Sequence, residues 1–129
     1  MQANESRDTS PEVALRRALH RRGLRFRKNV AVVPGLRFRP DIAFPRARVA
    51  VECFGCFWHR CPVHGVMPRT NAGYWLAKLE RNVERDRRNA AALADMGWEL
   101  VVVWEHEDAH EAAARVEAVV RSRAVLPGA

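Results

Sequence analysis

Residues 40–54 read PDIAFPRARVAVECF, and the way this stretch folds decides the architecture. Strands over 37–44 and 48–54 are expected to form a tight hairpin. With Arg46 and Ala47 as its loop and Pro45 opposite Arg48, Phe44 pairs with Val49, Ile42 with Val51 and Asp41 with Glu52. Directly opposed residues place their Cβ atoms about 5 Å apart on one face of the sheet. Two carboxylates at that spacing repel unless they share a proton or a cation. With backbone carbonyl oxygen nearby, they form a site for a hard cation such as Mg²⁺. The other reading is an exposed hairpin carrying two unremarkable acids.

Working outward, Thr9-Ser10-Pro11-Glu12 combines a hydroxyl cap, an early proline and a first-turn acid, the signals of a helix start. That helix is expected to run to about residue 22 and stop at Gly23, with Leu15, Ala18 and Leu19 as its apolar stripe. Residues 1–8 are polar and read as a mobile segment ahead of a single domain, 9–129. A first strand is expected over 25–32 and a turn at Pro34-Gly35. After irregular residues 55–70 come a long helix over 71–96 ending at Gly97, a strand over 98–104 and an Ala-rich helix over about 108–123. The 98–104 run, WELVVVW, is almost continuously apolar, the pattern of a central buried strand. The order α-β-β-β-α-β-α predicts an α/β sandwich with a mixed sheet flanked by helices.

The 129 residues are 48% hydrophobic and 29% charged, enough apolar material for a core and too much for a disordered chain. Lys and Arg total 22 against 15 acids, a net charge of +7. A balance of that sign points to an acidic partner, nucleic acid first. Arg dominates the basic residues, and its planar fork binds two phosphate oxygens at once. No apolar run approaches the roughly 20 residues of a membrane span. MQANESRDTSPE has no signal-peptide core, so a cytoplasmic protein is expected.

Cys53, Cys56 and Cys61 fall within nine residues, and an odd cysteine cluster in such a protein suggests a metal before disulfides. Cys56, Cys61 and His64 have the spacing to enclose one tetrahedral Zn²⁺. His106, just past the 98–104 strand, is the best candidate for the fourth ligand, and buried free thiols are the competing reading. His59 lies inside the same knuckle and could also ligate. Phe57 and Trp58, between the ligands, either pack beneath the knuckle or insert between bases. In the long helix Leu76, Leu79, Val83, Ala90 and Leu93 form a stripe with a gap at Asp86. Asp86 therefore points inward or to the stripe's margin, either paired with an Arg or orienting a histidine in an active site.

Two resemblances follow. Pro40-Asp41, ten intervening residues, then Glu52-Cys53-Phe54 resembles the PD-(D/E)xK nuclease core, with Phe54 in place of the Lys. More specifically, Arg7-Asp8-Thr9, Glu12, Pro40-Asp41, Gly55-Cys56-Phe57-Trp58-His59, Tyr74-Trp75-Leu76 with Lys78, Asn82-Val83-Glu84-Arg85-Asp86-Arg87-Arg88, Gly97-Trp98 and Val103-Trp104-Glu105 together resemble the very-short-patch-repair (Vsr) DNA mismatch endonucleases over about residues 5–107. The resemblance implies a restriction-endonuclease-like fold, a structural zinc, a Mg²⁺-dependent active site and nicking of one strand 5′ of the thymine in a T·G mismatch. It implies Asp41 as Mg²⁺ ligand with the backbone carbonyl of Cys53, His59 as catalytic histidine, Asp86 as its carboxylate partner and Glu12 as a supporting acid. Cys56, Cys61, His64 and His106 would hold zinc, and Phe57, Trp58 and Trp75 would wedge into DNA. Two positions depart from the family's best-known member: a second active-site histidine is Phe54 here, and an apolar position is Glu52.

The expectation is a monomeric Mg²⁺-dependent mismatch endonuclease with structural zinc, in which Glu52 joins Asp41 at the metal and Arg81, Arg85 and Arg88 grip phosphates. Its partners would be T·G-mismatched duplex DNA and mismatch-repair proteins. The alternatives are a restriction or mobile-element nuclease of the same fold and a non-catalytic zinc DNA-binding module.

Overall fold

The computed structural model describes residues 10–56, 61 and 69–124. In these residues three helices and four strands alternate as α1 (Ser10–Arg21), β1 (Arg27–Lys28), β2 (Ile42–Phe44), β3 (Val49–Phe54), α2 (Ala72–Asp95), β4 (Glu99–Trp104) and α3 (Ala109–Ala124). The sheet order is β1-β2-β3-β4. The first three strands are antiparallel neighbours, and β4 returns parallel to β3. A parallel return requires a long crossover, and α2 supplies it.

The hairpin register is the expected one, with Ile42 opposite Val51 and Phe44 opposite Val49. Its turn is wider than two residues. The Arg48 N–H donates to the Pro45 carbonyl at 3.3 Å, and Arg48 takes φ 56° to bring the chain back into β3.

Alternation along the strands sends side chains to two covered faces. On one face Ile42, Phe44, Val49, Val51, Val101 and Val103 meet Leu15, Ala18 and Leu19 of α1 and Ala112, Ala113 and Val116 of α3. On the other, Ala50 packs under Leu93 of α2 together with Val33, while Val32, Leu36, Phe38, Trp98 and Leu100 close the margin.

Three expectations are corrected. The 98–104 segment is an edge strand of the described sheet and not a central one. It reads as apolar throughout because helices cover both of its faces, while its outer edge has no partner strand among the described residues. The strands expected over 25–32 and 37–44 shrink to two and three residues. Asn29 turns left-handed at φ 55° and donates its N–H to the Pro40 carbonyl at 3.1 Å, and Pro40 has no N–H to offer a ladder. Residues 29–41 therefore leave the sheet as a loop. Finally, Leu76 is exposed and the buried stripe of α2 begins at Leu79. A 24-residue helix spans about 36 Å at 1.5 Å per residue, whereas a six-residue strand spans roughly 20 Å, so the first turns overhang the sheet. The polar segment 1–8 lies outside the described residues.

Candidate active site

Asp41 and Glu52 interlock across the hairpin. The Asp41 N–H donates to Glu52 Oε1 at 2.9 Å, and the Cys53 N–H donates to Asp41 Oδ2 at 2.7 Å. Each carboxylate thus accepts a hydrogen bond from a backbone N–H of the opposite strand, which orients both. Asp41 is 7% exposed. Glu52 is pushed up to about 9, first by burial and then by the charge of Asp41, with Asp86 and Glu12 adding to the same effect. The Asp41 N–H works against these by favouring the charged form.

Four carboxylates from three elements and a strand end therefore act on one place. Arg16 is paired to Glu12, its Nη1 2.6 Å from the carboxylate one turn away on α1. Glu12 itself is 2% exposed. Asp41 and Glu52, interlocked with backbone oxygen nearby, offer the oxygen donors a hard divalent cation takes, and these residues fit Mg²⁺, while Asp86 and Glu12 act on Glu52 through their charge. The Cys53 thiol is held above the ordinary thiol range by burial, then by Asp41, so it stays protonated.

Asp86 fills the gap in the α2 stripe and is half-buried. It lines a groove of about 430 Å³ together with Glu52, Arg85 and Asn89, and the loop residues Leu36, Arg37 and Phe38 line it too. Phe54, at the position of the motif's Lys, is buried and meets Trp104 edge-on with ring centroids 5.3 Å apart. It contributes packing and no charge. His59 lies outside the described residues.

The second centre joins distant parts of the chain. Cys56 and Cys61 are buried, and His106 Nδ1 is 3.3 Å from Cys56 Sγ and 3.7 Å from Cys61 Sγ. All three ligand atoms lie within 4.8 Å of one another. Metal bonds of about 2.0–2.3 Å at tetrahedral angles put S and N donors about 3.5–3.8 Å apart, so the set fits Zn²⁺. The Cys56 thiol is raised to about 11 by burial, then by the adjacent Cys61; a cation between them reverses that preference. The knuckle is braced by a residue that sequence reading left unassigned. Glu105 accepts the Cys56 N–H on Oε1 at 2.9 Å and donates its own N–H to the Phe54 carbonyl at 2.9 Å. His64, Phe57 and Trp58 lie outside the described residues.

On α2, Trp75 is half-buried, edge-on to Tyr74, with Lys78 Nζ 5.8 Å from its ring centroid. Arg81, Arg85 and Arg88 are exposed, and of these Arg85 faces the groove. Arg37, Phe38 and Asn89 were not singled out from sequence. Their signal was weak, because loop residues and a polar helix residue acquire a role only when the groove closes around them.

The profile of the family described as DNA mismatch endonuclease Vsr matches residues 1–64. The type II nicking enzyme V.NaeI of Lentzea aerocolonigenes is 49% identical over 118 residues, covering 90% of this chain and 71% of the relative. The type II nicking enzyme V.XorIIP of Xanthomonas oryzae pv. oryzae is 44% identical over 109 residues, 83% of this chain and 77% of the relative. The DNA mismatch endonuclease Vsr of Escherichia coli is 41% identical over 107 residues, 81% and 66% respectively. These similarities run through the acid pair, the knuckle and α2, and the chain belongs to the Vsr family of DNA endonucleases.

Proposed function

We propose that the protein nicks one strand of duplex DNA 5′ of the thymine in a T·G mismatch, using Mg²⁺ on a restriction-endonuclease-like PD-(D/E)xK core within one domain, 9–129. The observation that carries this reading is the interlocked Asp41–Glu52 pair, of which Glu52 lines the groove that Asp86 shares. Asp41, Glu52 and the Cys53 carbonyl would hold the cation. Bound there, Mg²⁺ supplies charge that polarises the scissile phosphate and eases departure of the 3′-oxygen. Asp41 and Glu52 are kept in place by the two cross-strand N–H bonds, so the acids need no reorganisation when substrate arrives. His59 moves the proton as general base or acid, and Asp86 holds its imidazole in one tautomer. Glu12, paired to Arg16, supports the site from α1.

Cys56, Cys61, His64 and His106 would hold a structural Zn²⁺ that braces the segment bearing Phe57, Trp58 and His59. Those aromatics with Trp75 wedge beside the mismatch, where a wobble pair stacks less well than a matched one. Arg81, Arg85 and Arg88 add sequence-blind phosphate binding. The enzyme acts as a cytoplasmic monomer and hands its nick to mismatch-repair proteins.

The test is incubation with Mg²⁺ and either matched or T·G duplex, read as single-strand nicks. The mismatched duplex should be cut selectively. Asp41→Asn should abolish nicking while DNA affinity stays within about twofold. Two relatives carry the name of type II nicking enzymes, which favours a second reading, nicking at another DNA feature. Equal cutting of matched and mismatched duplex would select it.

A further inference from the structure

The loop that leaves the sheet after Asn29 builds the groove wall facing α2. A turn closes it, with the Leu36 N–H donating to the Val33 carbonyl at 3.1 Å and Gly35 at φ 82°. Val33 is buried against Ala50 and Leu93, and Leu36 and Phe38 pack on the same cluster. Arg37 lies between these two anchors and is exposed. Its neighbours on both sides are fixed to the core, so Arg37 is presented to the groove from a braced backbone. Arg85 of α2 lines the same groove, together with Glu52 and Asp86. Among the described residues neither guanidinium is engaged in an ion pair or hydrogen bond.

We propose that Arg37 is a substrate-positioning residue that grips a phosphate of the nicked strand from the loop side of the groove that Arg85 also lines. The proposal rests on the reading of this groove as the place where DNA is cut. The electrostatic argument is direct. A phosphodiester approaching Asp41, Glu52 and Asp86 meets negative charge, and a divalent cation offsets part of it. Two guanidinium groups, one from the loop and one from α2, line the groove and supply further positive charge at the flanking phosphates. Arg presents two parallel N–H groups to two phosphate oxygens, so the contact sets the strand's position as well as its affinity. A 1 Å misplacement of the reacting phosphate can cost about a hundredfold in rate, so a braced contact matters for cutting as well as for binding.

The experiment pairs Arg37→Ala and Arg37→Lys with duplexes in which phosphates around the nicked bond are replaced one at a time by neutral methylphosphonates. Binding is titrated at several salt concentrations, and nicking is followed in single turnovers with Mg²⁺. For Arg37→Ala we expect roughly tenfold weaker binding at low salt and a salt slope reduced by about 1. We also expect insensitivity to the one methylphosphonate position that weakens the wild-type protein, the signature of a coupled pair. Arg37→Lys should keep the slope and lose nicking rate. Wild-type affinity, slope and methylphosphonate pattern in Arg37→Ala, with wild-type protein still nicking, would overturn the role of Arg37 and leave the active site standing. Failure of the wild-type protein to bind or nick any duplex would overturn the reading of the groove and this inference with it. Thermal melting of both variants checks folding; an exposed loop Arg should leave it unchanged.

Discussion

At the scale of single residues the decisive feature is the raised Glu52. Its carboxyl titrates near 9 in the folded chain against an ordinary value of 4.5. Between those two values the native state holds a proton that the unfolded chain releases. Stability of the metal-free protein is therefore greatest below about pH 4.5 as far as this group is concerned. It falls as pH rises and is lost through about pH 9. Glu52→Gln, which keeps the shape and removes the charge, should flatten that decline in denaturant titrations run in chelator from pH 5 to 9. The same substitution should depress nicking strongly if Glu52 is a ligand, with partial recovery at high Mg²⁺. A decline identical in Glu52→Gln and wild type would place the pH dependence elsewhere. Phe54 illustrates the opposite case. The position of the motif's Lys is filled here by a ring packed on Trp104, which carries no charge.

At the scale of elements, the β3–α2–β4 crossover carries most of the geometry. Gly97 ends the helix and starts β4 with φ 81°, and a Cβ there would lie 3.3 Å from Arg48 Nη1 of the hairpin turn. Gly97→Ala therefore combines a left-handed backbone with a tight side-chain approach. It should cost about 1–2 kcal/mol, read as a lowered urea midpoint with unchanged slope. The same corner is tied by Arg123 of α3, whose guanidinium donates to the Ala47 carbonyl at 2.7 Å and the Gly97 carbonyl at 2.5 Å. One side chain thus joins the last helix, the hairpin turn and the start of β4. The short β1 and β2 have a matching explanation: the loop freed by Asn29 and Pro40 becomes the groove wall.

At the scale of the whole molecule, the Cys56–Cys61–His106 centre links the end of β3 to the end of β4. It spans 45 residues between Cys61 and His106, and Glu105 reinforces the link through Cys56 and Phe54. A structural Zn²⁺ can contribute on the order of 10 kcal/mol to folding a small site, comparable to the entire stability of a domain. Purified protein should hold one equivalent of zinc by elemental analysis. Chelation, Cys61→Ser or His106→Ala should each lower the melting temperature by about 10 °C or more, with Cys61→Ser losing the bound metal. A folded, active preparation with no zinc would remove this centre from the account.

The sequence by itself determined the order of the elements and the approximate span of the three helices, β3 and β4. Helix caps, apolar stripes and the Gly23 and Gly97 stops act over one or two turns and are legible locally. It also determined the hairpin register, because apolar residues on both arms must share faces and a one-residue slip would turn all of them outward. That register placed Asp41 opposite Glu52 before any coordinates, and the cysteine spacing announced a metal site. Tertiary structure decided the rest. Whether a strand is central or at an edge does not show in its own residues when helices cover both faces, so Glu99–Trp104 read as central and lies at the edge of the described sheet. How far Glu52 is shifted depends first on its burial and then on Asp41, Asp86 and Glu12 arriving from separate elements, and burial and charge both act in space without regard to chain distance. Arg37 had no local signal at all: it lines the groove with Glu52 and Asp86 because Leu36 and Phe38 pack, partly buried, on the cluster of Val33, Ala50 and Leu93, partners that only the folded chain brings together.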